Sequence, residues 1–187
     1  LYWGCIFLMY LSQVYYPVSD LPEGSQIGKR HFMLRRADIF MIAAIAWMTC
    51  FSFLRTGYND TMTYRIHFME SETVADYFAS GGLLEWAGNP LSELYRDFIR
   101  DLTTDYHIYF FFPAFFSSFA AVKLFKKYSV NPAVSLLIFF SIGTYVMYIA
   151  ALKQCFAMFF LILALPYAID KKYIRFYLLV FVAMLFH

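Results

Sequence analysis

Ile39-Phe-Met-Ile-Ala-Ala-Ile-Ala-Trp-Met-Thr-Cys-Phe-Ser-Phe-Leu54, followed at once by Arg55-Thr-Gly-Tyr-Asn-Asp60-Thr-Met-Thr-Tyr64, decides how this chain folds. The first part carries no charge and as a helix would rise about 24 Å, at ~1.5 Å per residue. That is a little short of the ~30 Å hydrocarbon core of a bilayer, so flanking residues must complete the span. The second part opens the only long polar segment of the sequence. Gly57 and Asn59 mark a turn, because both tolerate backbone angles that branched residues resist. The turn presents a cation, Arg55, and a carboxylate, Asp60, where a helix would leave the lipid. Ionisable groups at such a depth are costly to hold and point to function. The alternative is that Arg55 snorkels to headgroups and Asp60 caps a surface helix.

Composition agrees with the reading of the apolar run. Of 187 residues, 61% are apolar and 22% aromatic, and only 15% are charged. A water-soluble chain carries roughly 25% charged residues, so this one has too few to cover a wet surface. Its charges are bunched between apolar runs of spanning length, the pattern of a multispan membrane protein. The formal charge of +2 gives no reason to expect a nucleic-acid partner. Cys5, Cys50 and Cys155 lie inside apolar runs without metal or redox spacing and are expected to pack as small apolar residues.

The expected fold is all-α, a polytopic transmembrane helical bundle of about six spans in one integral membrane domain covering residues 1–187. The runs are Leu1 to about Val18, with Tyr10, Tyr15 and Tyr16 suited to an interface belt, then Ile39 to Leu54, Tyr106 to Val122, Pro132 to Leu152, Cys155 to Ile169, and Tyr173 to the end. The first run lacks a basic leader and a cleavage site, so it reads as a span rather than a signal peptide. The chain begins without methionine and stops inside an apolar run, so it is expected to be a fragment, incomplete at both ends. The links at 19–38, 123–131 and 170–175 hold ten Lys/Arg against four acids, among them Lys29, Arg30, Arg35 and Arg36. The segments at 55–105 and 153–154 hold five against nine. The positive-inside rule puts the first set in the cytoplasm and the second outside, alternating without conflict through all six runs.

The outer segment, 55–105, is expected to hold interfacial helices. Leu91, Leu94, Tyr95, Phe98, Ile99 and Leu102 form one apolar stripe, with Asn89-Pro90 as cap and first-turn proline. Glu93, Arg96, Asp97, Arg100 and Asp101 fall on the other face. Residues 61 to 80 suggest a second amphipathic helix, ended by Gly81-Gly82. Such a pair would lie in the interface, or cap the bundle as a solvated pair.

Candidate chemistry gathers at the outer side. Besides Arg55 and Asp60, Lys153 and Gln154 lie at the turn between runs four and five, where an anionic headgroup would be held. His187 falls in the outer half of the last run, as a core residue or a base. Tyr64 and Tyr77 are interface aromatics, or platforms on which a sugar could stack. GxSxG, HExxH, GxGxxG, Walker and clustered Cys/His patterns do not occur, so hydrolytic triads, zinc peptidases and nucleotide-driven pumps have no support. No cofactor and no metal is expected. A reaction here must start from a substrate already activated and already in the membrane.

These residues bring a family into view. Phe53-Leu-Arg55-Thr-Gly-Tyr-Asn-Asp60-Thr-Met-Thr-Tyr64 resembles the Arg, Gly, Asp-Thr, Tyr signature of the EpsG family, multispan proteins similar in role to Wzy-type exopolysaccharide and capsule polymerases. Met147-Tyr-Ile-Ala-Ala-Leu-Lys153-Gln154-Cys-Phe-Ala157 is similar to that family's Arg-Gln followed by Ala, and Ala183-Met-Leu-Phe-His187 to its helix bearing Phe-His. The stretch Leu91 to Leu102 also matches in place and pattern. Lys153 departs from the family, which usually has Arg there; Lys keeps the charge but loses the planar two-pronged grip on phosphate.

The resemblance implies a membrane glycosyltransferase-type polymerase acting on polyprenyl-diphosphate-linked oligosaccharide at the outer face of the cell membrane, with other polysaccharide assembly proteins as further partners. In that role Asp60 is the base or the orienter of the acceptor hydroxyl, and His187 the competing base. Arg55 and Lys153 clamp the diphosphate, with Tyr64 and Gln154 binding substrate beside them. A flippase of lipid-linked glycan is the first alternative and would favour charges near the midplane. A sugar acyltransferase is the second and would want a His beside a carboxylate. A scaffold would tolerate loss of Asp60.

Overall fold

The computed structural model describes residues 2–14, 36–82 and 88–187. Regular structure among the described residues is helical throughout. The helices are α1 (Tyr2–Val14), α2 (Arg36–Phe53), α3 (Thr61–Met69), α4 (Val74–Ala79), α5 (Pro90–Leu102), α6 (Tyr106–Tyr128), α7 (Pro132–Ser141), α8 (Thr144–Ala150), α9 (Leu152–Ile169) and α10 (Tyr173–Phe186). Tyr15, Tyr16 and the basic link of Lys29, Arg30 and Arg35 lie outside the described residues.

By length and composition, α6 and α9 are apolar enough to cross a membrane, and α2, α7 and α10 carry shorter apolar stretches. The long helices form a row in which α10 packs on α9, α9 on α6, α6 on α2 and α2 on α1, with α7 returning to α1. Cys5, Met9, Ala44, Met48, Leu136 and Tyr145 meet in its main core. The Cys5 and Cys155 thiols are buried there as small packing residues, while Cys50 is exposed. A second cluster of Phe68, Ile99, Tyr109, Phe110 and Leu152 joins α3 and α5 to the ends of α6 and α9. Exposed Ile42, Leu161, Leu165 and Phe181 give the bundle an apolar outside, as expected where lipid is the solvent.

Two expected helices are divided, each at a residue that explains the break. The run Pro132 to Leu152 is not one continuous helix: α7 stops after Ser141, and Gly143 turns left-handed at φ 78° before α8 begins. A Cβ would disfavour that conformation, and glycine has none. The chain bends again at Ala151, so Lys153 and Gln154 fall in the first turn of α9 rather than in a loop. The amphipathic stretch 61–80 is two helices, because Thr73 starts a new one with a reciprocal cap: its side chain accepts from the Asp76 N–H while the Asp76 carboxylate accepts from the Thr73 N–H. The end at Gly81 and Gly82 is as expected, both having positive φ. Asp105 opens α6 by accepting from the His107 N–H, a bond that holds its carboxyl below the usual range.

Helix α5 reverses part of its expected exposure. Asp97, placed on the polar outer face by spacing, is 2% exposed and paired with Arg96 at 2.7 Å. Phe98 and Leu102, from the apolar stripe, are exposed. The apolar stripe is thus split, with Ile99 and Tyr95 packed into the second cluster beside the buried ion pair and Phe98 and Leu102 facing outward.

Pro113 explains how α5 is fastened. A proline inside α6 has no N–H, which leaves the Tyr109 carbonyl without its helical donor. The Tyr95 hydroxyl donates to that carbonyl at 2.7 Å. Tyr95→Phe would leave the carbonyl buried and unpaired, and is expected to cost about 1–3 kcal/mol. Thermal unfolding in detergent measures it, and an unchanged midpoint would mean the bond fastens nothing.

Candidate functional site

The segment after α2 builds the site by folding back on itself. Arg55 follows α2 directly, Asn59 turns left-handed at φ 46°, and α3 begins at Thr61. The reversal brings Thr61 under Arg55. The Arg55 Nε donates to the Thr61 hydroxyl at 3.0 Å, and Nη1 donates to the Ser52 carbonyl at 3.3 Å. Thr61 is fully buried and donates to the Tyr58 carbonyl, so the turn and the arginine brace one another. The guanidinium lies 4.7 Å from the centre of the Phe110 ring on α6, a favourable place for a cation.

Nη2 of Arg55 is buried and has no hydrogen-bond partner. Arg55 forms no salt bridge among the described residues. An unpaired, half-buried cation costs several kcal/mol in order of magnitude, and the vacant donor gives an anion something to hold.

Tyr64 links this arginine to α9. It is half-buried and packs against the cluster that contains Leu152, at the start of α9. Burial pushes the Tyr64 phenol above its ordinary pKa, the Lys153 N–H pulls it back, and the Asp60 carboxylate adds to the upward push. Gln154, next along α9, lies 3.2 Å from His187, Nε2 to Nε2. That contact follows from α9 and α10 packing as a hairpin, with Phe186 stacked on Phe156 at 4.8 Å.

Arg55 over Phe110, Tyr64 against the Leu152 cluster, and the Gln154–His187 pair thus lie on elements that converge at one end of the bundle, where α9 also carries Lys153. Asp60 stands at its rim. It is exposed, occupies the N-cap position of α3 without a side-chain cap bond, and pairs with neither Arg55 nor Lys153. Its relation to the cluster runs through Tyr64, one helical turn on, whose N–H donates to the Asp60 carbonyl at 2.9 Å. Tyr77 is not available as a platform, being buried with its hydroxyl donating to the Pro90 carbonyl at 3.0 Å. Of the residues that hold Arg55, Thr61 belongs to the Asp-Thr signature, whereas Ser52 and Phe110 carry no motif. Only the polar Ser52 at the end of an apolar run hints at its role. Among the described residues no group of three or more His, Cys, Asp or Glu could hold a metal ion.

No curated protein and no solved structure matches the chain. A family model, that of the EpsG family, matches residues 38–187. The match takes in the Arg55–Tyr64 turn, α5 and both bilayer-length helices. Those helices and that family together point to a membrane protein connected with polysaccharide. With the model covering most of its length, this chain belongs to the EpsG family.

Proposed function

We propose that the chain polymerises lipid-linked oligosaccharide repeat units into exopolysaccharide or capsule, at the outer face of a cell membrane that it crosses several times. The observation that carries the reading is the Arg55 guanidinium, held by Thr61, Ser52 and Phe110 with its remaining nitrogen unpartnered. Such a group suits a diphosphate, which offers several acceptor oxygens. Lys153 and Gln154, across Tyr64, bring a second cation and an amide to the same anion.

In the reaction, the acceptor sugar hydroxyl forms a bond to the anomeric carbon of the donor repeat. The bond from that carbon to the diphosphate oxygen breaks, and its electron pair leaves with the polyprenyl diphosphate. The hydroxyl proton passes to Asp60, with His187 as the other candidate. Arg55 and Lys153 stabilise the charge that develops on the leaving diphosphate, and the base removes the proton as the bond forms. The substrate itself supplies the driving energy.

One observation favours a second reading. The run 132–152 is broken at Gly143 and again at Ala151, and interrupted helices are a feature of transporters. The protein reconstituted in vesicles with a lipid-linked repeat unit separates the two. Lengthened glycan with free polyprenyl diphosphate supports polymerisation, whereas unlengthened glycan moved across the bilayer supports a flippase.

A further inference from the structure

We propose that the end of α6 and α9 remote from Arg55 is a binding site for the headgroup phosphate of an anionic phospholipid. A cavity of about 280 Å³ lies there, bounded by Lys123, Lys127 and Tyr128 of α6 and by Ile162, Pro166 and Tyr167 of α9. Along α6, Lys123 is about seventeen residues beyond Tyr106, or ~26 Å at ~1.5 Å per residue. That approaches the ~30 Å thickness of a bilayer core. With the Arg55 cluster at one membrane surface, the cavity reaches the headgroups of the other.

Its groups match a phosphodiester. The Lys123 ammonium rests 5.4 Å from the Phe119 ring centre and that of Lys127 5.0 Å from the Tyr128 ring centre. Neither makes a salt bridge among the described residues. Asp170 also borders the cavity, but its carboxylate accepts a hydrogen bond from Lys172 at 3.0 Å. Pro166 has no N–H, so the Ile162 carbonyl beside it lacks a helical donor and offers an acceptor to a headgroup hydroxyl. Leu124 and Leu163 complete the wall. A free phosphate has no use for an apolar wall, whereas the glycerol and first acyl carbons of a lipid do.

Native mass spectrometry of the full chain from nanodiscs of mixed phosphatidylglycerol and phosphatidylcholine tests this. Wild type is expected to retain phosphatidylglycerol in preference, and Lys123→Gln and Lys127→Gln to cut that preference roughly five-fold each, since a basic side chain near a charged surface contributes ~1 kcal/mol. Arg65→Gln, which removes the same charge near the other end of α6, is expected to leave it unchanged. Equal retention of both lipids, or an equal loss with Arg65→Gln, overturns the proposal. A third arm adds inorganic phosphate to phosphatidylcholine nanodiscs. Lysine-dependent protection from thermal unfolding by phosphate alone assigns the cavity to a free anion and overturns the lipid site.

Discussion

Arg55→Ala is expected to abolish polymer while the protein remains folded in the membrane. Removing one preorganised donor to a developing negative charge typically costs 10²–10³ in rate, and Arg55 would supply charge as well as hydrogen bonds. The fold should tolerate the loss because the guanidinium is itself under strain of burial. Alanine deletes the bonds to Thr61 and Ser52, but it also deletes an unpaired cation and an unsatisfied Nη2. Thr61 keeps its own bond to the Tyr58 carbonyl, so the turn retains a brace. Arg55→Lys should recover little, since an ammonium cannot span Thr61, Ser52 and a diphosphate together. The readouts are glycan length by gel, thermal midpoint in detergent, and inhibition by inorganic pyrophosphate, which should weaken in both variants. Normal polymer from Arg55→Ala at an unchanged midpoint would remove Arg55 from the site.

How much of this was legible follows from the range over which each determinant acts. The Arg55–Asn59 turn, the starts of α5 at Pro90 and of α6 at Tyr106, and the end of α9 at Ile169 are local, whereas α6 runs past the expected Val122 to Tyr128. Gly, Pro and the change from apolar to polar residues announce them in the sequence. The division of 61–80 was also local, but Thr73 and Asp76 lie three apart in a stretch whose apolar spacing continues across them. Gly143 stands alone within an apolar run, and only its left-handed backbone reveals a break.

The misplacement of Asp97 has a different origin. Helical spacing sorts residues by face but does not say which face turns toward protein when lipid lies outside. The pairs that make the site are beyond local reading altogether. Gln154 and His187 are 33 positions apart and meet through the register of α9 against α10. Tyr64 comes to the start of α9, beside Leu152, through the docking of α3 on the bundle.

That docking bears on which group takes the proton. Asp60→Asn is expected to lower kcat by about 10²–10⁴, the usual contribution of a positioned base, with KM little changed. The reason lies in where the two candidates stand. The Asp60 carboxylate is exposed and makes no cap bond or salt bridge among the described residues, so no protein group there competes with a sugar hydroxyl for it. It adjoins Tyr64, and through Tyr64 the α9 turn that bears Lys153. His187 already shares Nε2 with the Gln154 amide, which commits that nitrogen to a structural contact unless substrate displaces it. His187→Ala should therefore raise KM more than it lowers kcat, whereas Asp60→Asn should do the reverse. Asp60→Glu keeps the carboxylate with a longer reach and is expected to restore part of the rate. An active Asp60→Asn protein beside a silent His187→Ala protein would exchange the two assignments, and with them the face of the sugar from which the proton leaves.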